Sequence, residues 1–321
     1  MVPWLVGGGI SLLLAFACVF MPTFRKTTAR IMLVAVIGMV STLVVVDRFD
    51  PPRANYDRLI DLELKGQYEN VYTVIPWSPT QARTNFYVLP PGTIVDSREP
   101  DALDTNFGAR TFVLGTDSVG QDVLSQMMHA CRLSISIGLV STGISVLIGI
   151  VIGSLMGYFG GWVDLVLSRV VEIFMAIPVL FLLIVAAAVL PRNTYMMMAI
   201  IGLVSWTLSA RFIRAEFLKM RAQDFVQVAR AAGLPLRSVL FRHMLPNGIT
   251  PVLVQASFAI AAAILAEATL SFLGLGPDGQ ASWGKLLASA TGQTGTFNWW
   301  LAIFPGAAIF LTVLAYNLMG E

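Results

Sequence analysis

Glu267 is the single ionisable residue set deep in an apolar stretch of this chain, between residues 261–266 and 268–275. A carboxyl in that setting faces a bundle interior or a wet cavity and is a functional candidate by default. The alternative is a structural group near the outer end of its helix, protonated or hydrogen-bonded to a neighbour. Other chemical signatures are weaker. Gly274, Gly276 and Gly279 spell G-x-G-x-x-G, but a dinucleotide site needs a strand before that string, and here an apolar helix precedes it. Gly279, Gly284 and Lys285 begin a phosphate-loop match that fails at Leu286, where Ser or Thr is required. There is no H-E-x-x-H, C-x-x-C or G-x-S-x-G string, so intramembrane proteolysis lacks a catalytic constellation. Cys18 and Cys131 make no disulfide framework, and His129 and His243 are too few for a metal cage.

The elements that hold these residues are set by their solvent. Of 321 residues 56% are hydrophobic and 12% charged, with a mean hydropathy of +0.74. A soluble domain carries about 25% charge, so a bilayer is the solvent that fits. A span needs about 20 mostly apolar residues. Uncharged runs cover residues 2–24, 31–46, 133–162, 173–191, 193–210, 244–266 and 286–320, which makes seven candidates. The first lacks the basic flank and small-residue cleavage site of a signal peptide and reads as a span. The second is short and needs snorkelling flanks or a thinned bilayer. The expected fold is an all-α polytopic membrane protein of about six to seven transmembrane helices. Residues 1–46 hold two of them, 47–132 form a partly folded extracytoplasmic insertion, and 133–320 form a core of five with a cytoplasmic segment at 216–246.

Charge divides by side. Residues 47–132 carry twelve acidic against eight basic side chains, a net of −4, while Arg25, Lys26 and Arg30 put +3 on the first short link. Residues 211–243 carry seven basic against two acidic side chains, a net of +5. Lys and Arg excess in short loops marks the cytoplasmic side, so the N-terminus is expected outside and the C-terminus inside.

Local patterns fill in the rest. Residues 56–68 alternate Leu59, Leu62 and Leu64 with charge and suit a surface helix. Residues 71–77 and 85–89 suit short strands bounded by prolines. Residues 120–131 suit an amphipathic helix lying at the interface before the third span. In that span Ser145, Gly149, Gly153 and Gly157 recur every four residues, a stripe that lets two backbones approach closely. Gly160 and Gly161 then make a turn, with Trp162 as an anchor.

The cytoplasmic segment divides at Gly233 and Pro235 into a helix from about 216 to 232 and a second from 236 to 243, ended by Pro246. Val226, Ala229 and Gly233 share a face with Phe225 that a partner could grip, ringed by Arg230, Arg237 and Arg242. A short helix-turn-helix on a loop of a membrane bundle is a docking knob for a soluble protein.

That segment resembles the cytoplasmic E-A-A-x3-G-x9-I-x-L-P motif of permease subunits of bacterial ABC importers. Gln227, Val228, Ala229, Gly233, His243, Leu245 and Pro246 hold its spacing, with Gln227, Val228 and His243 replacing Glu, Ala and Ile. Within that superfamily the chain is similar to the C-type (OppC- and DppC-like) permeases of dipeptide and oligopeptide importers. The strings that carry the likeness include residues 114–125, 157–164, 214–217, 242–247, 266–276, 282–284 and 304–306. It departs in having two spans before the outer segment, in the length of that segment, and in stopping at Glu321 without the family's short charged tail.

The resemblance implies the type I permease fold of ABC importers and a binding-protein-dependent import of peptides across the bacterial inner membrane. It implies a homologous B-type permease, two ATP-binding subunits, an extracytoplasmic solute-binding protein, a peptide substrate, the lipid bilayer and no nucleic acid as partners. The chain itself would have no catalytic site, metal or cofactor, because ATP and magnesium belong to the partner subunits. Coupling to them would run through the 223–246 loop, by Asp224, Gln227, Val228, Ala229, Arg230, Gly233, Leu245 and Pro246. Glu267, Gln255, Ser205 and Thr207 are candidates for lining the path. The rival reading is a stand-alone secondary transporter or channel for small solutes, which inverted repeats or helices broken at midplane would favour.

Overall fold

The computed structural model describes Pro79, Ala82 and residues 86–95, 110–291 and 296–320. The spans expected over 1–46, the helix over 56–68 and the strand over 71–77 lie outside the described residues. Of the outer segment, β1 (Thr93–Val95) pairs antiparallel with β2 (Arg110–Phe112), Thr93 opposite Phe112. The strand expected over 85–89 is replaced at residues 86–88 by turns, and pairing begins only beyond Pro90 and Pro91.

Helix α1 spans Val123–Phe159. Asp122 caps it, its Oδ2 accepting the Ser125 N–H at 2.7 Å. At 37 residues it runs about 55 Å, well beyond a hydrocarbon core of about 30 Å. The separate interfacial helix expected over 120–131 is therefore the first turns of α1. No Gly or Pro between 123 and 137 breaks the ladder, and one Arg132 does not stop a helix.

After the turn at Gly160 and Gly161, both at positive φ, come α2 (Gly161–Ala176) and α3 (Val179–Val189), bent by 79° at Ile177 and Pro178. The expected span over 173–191 begins twelve residues too late. Asp164, Arg169 and Glu172 ended the uncharged run, yet each has an ionic partner, and the helix carries them. Helix α4 spans Thr194–Met220 and α5 Asp224–Ala231. Residues 216–232 are thus two helices. Six residues along one helix would swing Val226 about 240° from Met220, and the break at 221–223 lets both join one core.

Helix α6 (Leu236–Ser238), a π-helical turn (Val239–Met244) and α7 (Leu245–Gly248) lead into α8 (Thr250–Phe272). Pro246 does not end a helix here. It sits in the first turn of α7, where its missing N–H costs no bond, and the widened turn before it closes by the Leu245 N–H on the Leu240 carbonyl. Helices α9 (Trp283–Ser289) and α10 (Trp299–Gly320) complete the chain. Among the described residues α1, α4, α8 and α10 are long and apolar enough to cross a membrane, and α2 with α3 makes a fifth as one broken span.

The bundle is organised on α1 against α4. Extended back by Ser141, the four-residue stripe of α1 meets Ser209, Ala210, Ile213 and Phe217, while Gly202 of α4 returns the fit under Ile144. A Cβ on Gly153 would fall on the Ala210 carbonyl and within 3.0 Å of Ile213. At the end carrying β1 and β2, Trp300 donates from Nε1 to the Thr116 carbonyl at 3.1 Å, and Trp283 to the Met127 carbonyl at 3.3 Å. These bonds tie α9 to the first turns of α1 and α10 to the segment that leads into it.

Gly153→Leu is expected to lower stability by about 1–3 kcal/mol or more through overpacking. Gly306→Leu, where nothing lies within 4 Å, should be near neutral. Thermal unfolding of the two purified variants in detergent checks this; equal midpoints would remove the stripe from its place in the fold.

Candidate functional site

The knob at one end of the bundle is built from α5 and the turn after it. Val226 and Ala229 face inward and are buried with Phe217, Met220, Val239, Leu240 and Met244. The expectation that their face is open to a partner is therefore wrong. At 100° per residue, two apolar residues three apart make a stripe, and the bundle's own core claims it. The opposite face is free, with Asp224, Gln227, Val228 and Ala231 exposed and Val228 at 66%. Phe225, Leu234 and Leu236 add exposed apolar area beside it.

The knob is fastened. Gly233 takes φ +70°, the Leu234 N–H reaches the Ala229 carbonyl at 3.2 Å, and the Gly233 N–H reaches the Arg230 carbonyl at 3.0 Å. That pair of bonds is a Schellman cap and explains Gly233. The Arg230 guanidinium lies 5.5 Å from the Tyr158 ring centroid, pinning α5 to the end of α1. Leu245 and Pro246 are half-buried at the base, where the π-helical turn hands over to α8. Asp224, Gln227, Val228, Arg230 and Gly233 thus share one exposed tip, whereas Ala229, Leu245 and Pro246 hold it from behind.

A contact the sequence reading missed sits beside this tip. Arg214 of α4 grips Asp164 of α2 with two bonds, Nε to Oδ1 at 2.5 Å and Nη2 to Oδ2 at 2.7 Å. The fork geometry makes it directional as well as charged. Its signal was an Asp three residues after a glycine turn and an Arg on the last turns of an apolar helix, which only topology could pair.

Glu267 is fully buried and both its oxygens are used. Ser134 of α1 donates to Oε2 at 2.8 Å and Ser271 to Oε1 at 2.7 Å. A Cβ at Gly276 or Gly284 would collide with Ser271 or with the Ala268 carbonyl. Gly276 and Gly284 are thereby packing glycines of the loop over the carboxyl, while Gly274 and Gly279 meet nothing within 4 Å and serve its turns at positive φ. Lys285 closes that loop, its Nζ donating to the Pro277 carbonyl at 2.5 Å and the Gln280 carbonyl at 3.1 Å. Burial lowers the Lys285 pKa, while Asp278 and Glu267 pull the other way.

The four positions singled out for a path are not gathered at one surface. Gln255 is buried and accepts from the Ser209 hydroxyl at 3.1 Å. Thr207 is buried and Ser205 half-buried, two residues apart on α4 and so on different faces. Among the described residues no group of three His, Cys, Asp or Glu could hold a metal.

Comparison with known proteins follows the same outline. The family described as binding-protein-dependent transport system inner membrane component matches residues 149–321. A Brucella suis biovar 1 protein named as a peptide permease is 41% identical over 211 residues, 64% of this chain and 69% of its own length. The di/tripeptide transport system permease protein DppC of Pseudomonas aeruginosa is 35% identical over 249 residues, 77% of this chain and 78% of its own. A structure of the MetNI methionine ABC transporter in an inward-facing conformation superposes with TM-score 0.50 at 15% identity, covering 61% of this chain and 93% of that one. Its fold is the helical one described here.

Glu267→Leu would leave the Ser134 and Ser271 hydroxyls buried without their acceptor, at about 1–3 kcal/mol for each such group. Thermal unfolding of the purified chain should show that loss, with Glu267→Gln much milder because it keeps one acceptor and the shape. Equal midpoints for Leu, Gln and the parent would remove the carboxyl from the fold's support.

Proposed function

We propose, from the premise that this chain belongs to the family of binding-protein-dependent transport system inner membrane components, that it is a permease subunit of an ABC importer for peptides. It is a multi-pass inner-membrane protein and a transport subunit. It pairs with a homologous B-type permease to enclose the path, two ATP-binding subunits dock from the cytoplasm, and a solute-binding protein delivers peptide from outside. ATP and magnesium sit in the docking subunits, and this chain supplies no group to their chemistry.

The observation that carries this reading is the two-faced α5. Its inner face is welded into the core of α1 and α4, and its outer face presents Asp224, Gln227, Val228 and Ala231 to solvent. A helix so mounted transmits a push without deforming, because its Schellman turn and the Arg230 contact fix its C-terminal end, while the Gln223 N–H on the Met220 carbonyl at 2.9 Å ties its start to α4. The basic surplus of residues 211–243 supports a cytoplasmic tip, with the N-terminus outside and the C-terminus inside. Relatives named for peptides and di- or tripeptides support a peptide cargo. The same names speak against a stand-alone channel, although the bent α2 and α3 pair is the kind of broken helix such transporters use.

Val228→Asp tests the docking face, since it buries nothing in this chain and places a charge where a partner's surface must close. In the assembled importer, peptide uptake and peptide-stimulated ATP hydrolysis should both fall at least tenfold, with the variant's own unfolding midpoint unchanged. Full uptake by Val228→Asp would sink the assignment.

A further inference from the structure

Between α2 and the second half of α4 lies a cavity of about 630 Å3. Three guanidinium groups line it, Arg169, Arg211 and Arg214, with two carboxylates, Asp164 and Glu172. Arg214 is spent on Asp164 and Arg169 on Glu172. Arg211 has no carboxylate partner among the described residues; its Nη1 rests 3.6 Å from the Met175 sulfur. The cavity therefore presents one uncompensated cation, roughly 26 Å along α4 from Thr194 at 1.5 Å per residue.

The same wall holds the 79° break. Phe174 stacks edge-on against Trp206 with centroids 5.5 Å apart, while Leu183 and Ala187 join Met197 and Ile201 in one cluster. The break thus stands opposite residues 201–206, near the middle of α4. The last turn of α2 leaves carbonyls without helical partners, and Pro178 has no N–H. Residues 172–181 are all exposed on this chain. Backbone in that state cannot face lipid at membrane depth and must be covered by protein or line water. The charges lining the cavity, Asp164, Arg169, Glu172, Arg211 and Arg214, stand toward the end of that wall that carries the turn at Gly160 and Gly161. Helix break and charge lining are independent observations: the break calls for protein or water at this wall, and the charged lining favours water.

We propose that this wall is a peptide subsite on the transport path, where the freed backbone around Ala176–Val179 bonds peptide backbone irrespective of side chain and Arg211 takes the terminal carboxylate. It rests on the peptide-importer reading above. A guanidinium is suited to a carboxylate because its planar fork matches the two oxygens, and Met175 holds it without neutralising it.

The test uses the complete importer in vesicles and two tripeptides differing only in a free or amidated C-terminus, with uptake corrected for each peptide's separately measured affinity for the binding protein. The parent should favour the free acid by about tenfold, the scale of one charge-assisted bond. Arg211→Gln should bring that ratio near one, and Arg211→Lys, which keeps the charge but not the fork, should keep only part of it. In the parent complex, the free acid but not the amide should protect Arg211 from an arginine-selective dicarbonyl, read by mass spectrometry, which needs no variant to assemble. An unchanged ratio in Arg211→Gln, an equal loss for both peptides, or a loss seen only in vesicles containing anionic lipid would overturn the subsite; the last would make Arg211 a headgroup contact. Failure of the parent to import either peptide would instead overturn the peptide-importer reading, and the subsite with it.

Discussion

The close approach of α1 and α4 is the constraint on which the rest depends. In hydrocarbon there is no hydrophobic drive between helices, so the contact must come from packing that only small residues allow. Ser141, Ser145, Gly149, Gly153 and Gly157 supply it on one side, and Gly202, Ser209 and Ala210 on the other. Because α4 is seated this deeply, Phe217 and Met220 at its end build the core into which Val226 and Ala229 of α5 plug. A docking helix displayed on a loop becomes in this way an extension of the central helix pair.

The second constraint is that polar groups inside the bundle must be answered. Glu267 is answered by Ser134 and Ser271, Gln255 by Ser209, Asp164 by Arg214. Apart from the Ser271 bond, which lies within α8, each of these bonds joins two elements, so polar residues that would be liabilities in lipid act as fasteners. The Ser141, Thr142 and Ser145 hydroxyls of α1 and the Asn298 amide nitrogen are buried without such an answer among the described residues, and the wall around Arg211 and Pro178 leaves a cation and backbone groups for something outside the chain. Fasteners and an open wall in one bundle mark what is held fixed and what is offered to a passing solute.

Much of this was legible in the sequence, and the failures have physical causes. Long apolar runs and the glycine stripe follow from one-dimensional periodicity, so α1, α4, α8 and α10 were foreseeable. Counting uncharged residues failed at α2, because Asp164, Arg169 and Glu172 are tolerated once paired, and pairing is a property of the fold. Reading α5 as a partner-facing surface erred in hand: Val226 and Ala229 do form a stripe, but a stripe does not say which neighbour it meets. The continuity through Pro246 was hidden because a proline in a first turn and a proline that ends a helix look alike in sequence. Glu267 was singled out correctly as unusual, and only the serines from α1 and α8 show how it is held.

The central claim is that the outer face of α5 meets an ATP-binding subunit. Cross-linking from a cysteine placed by Val228→Cys, in the assembled complex with Cys18 and Cys131 replaced by serine, tests it most directly. The account requires a cross-linked product containing the ATP-binding subunit, formed through residue 228 and altered in yield by ATP. Products containing only lipid or a second copy of this chain would contradict it.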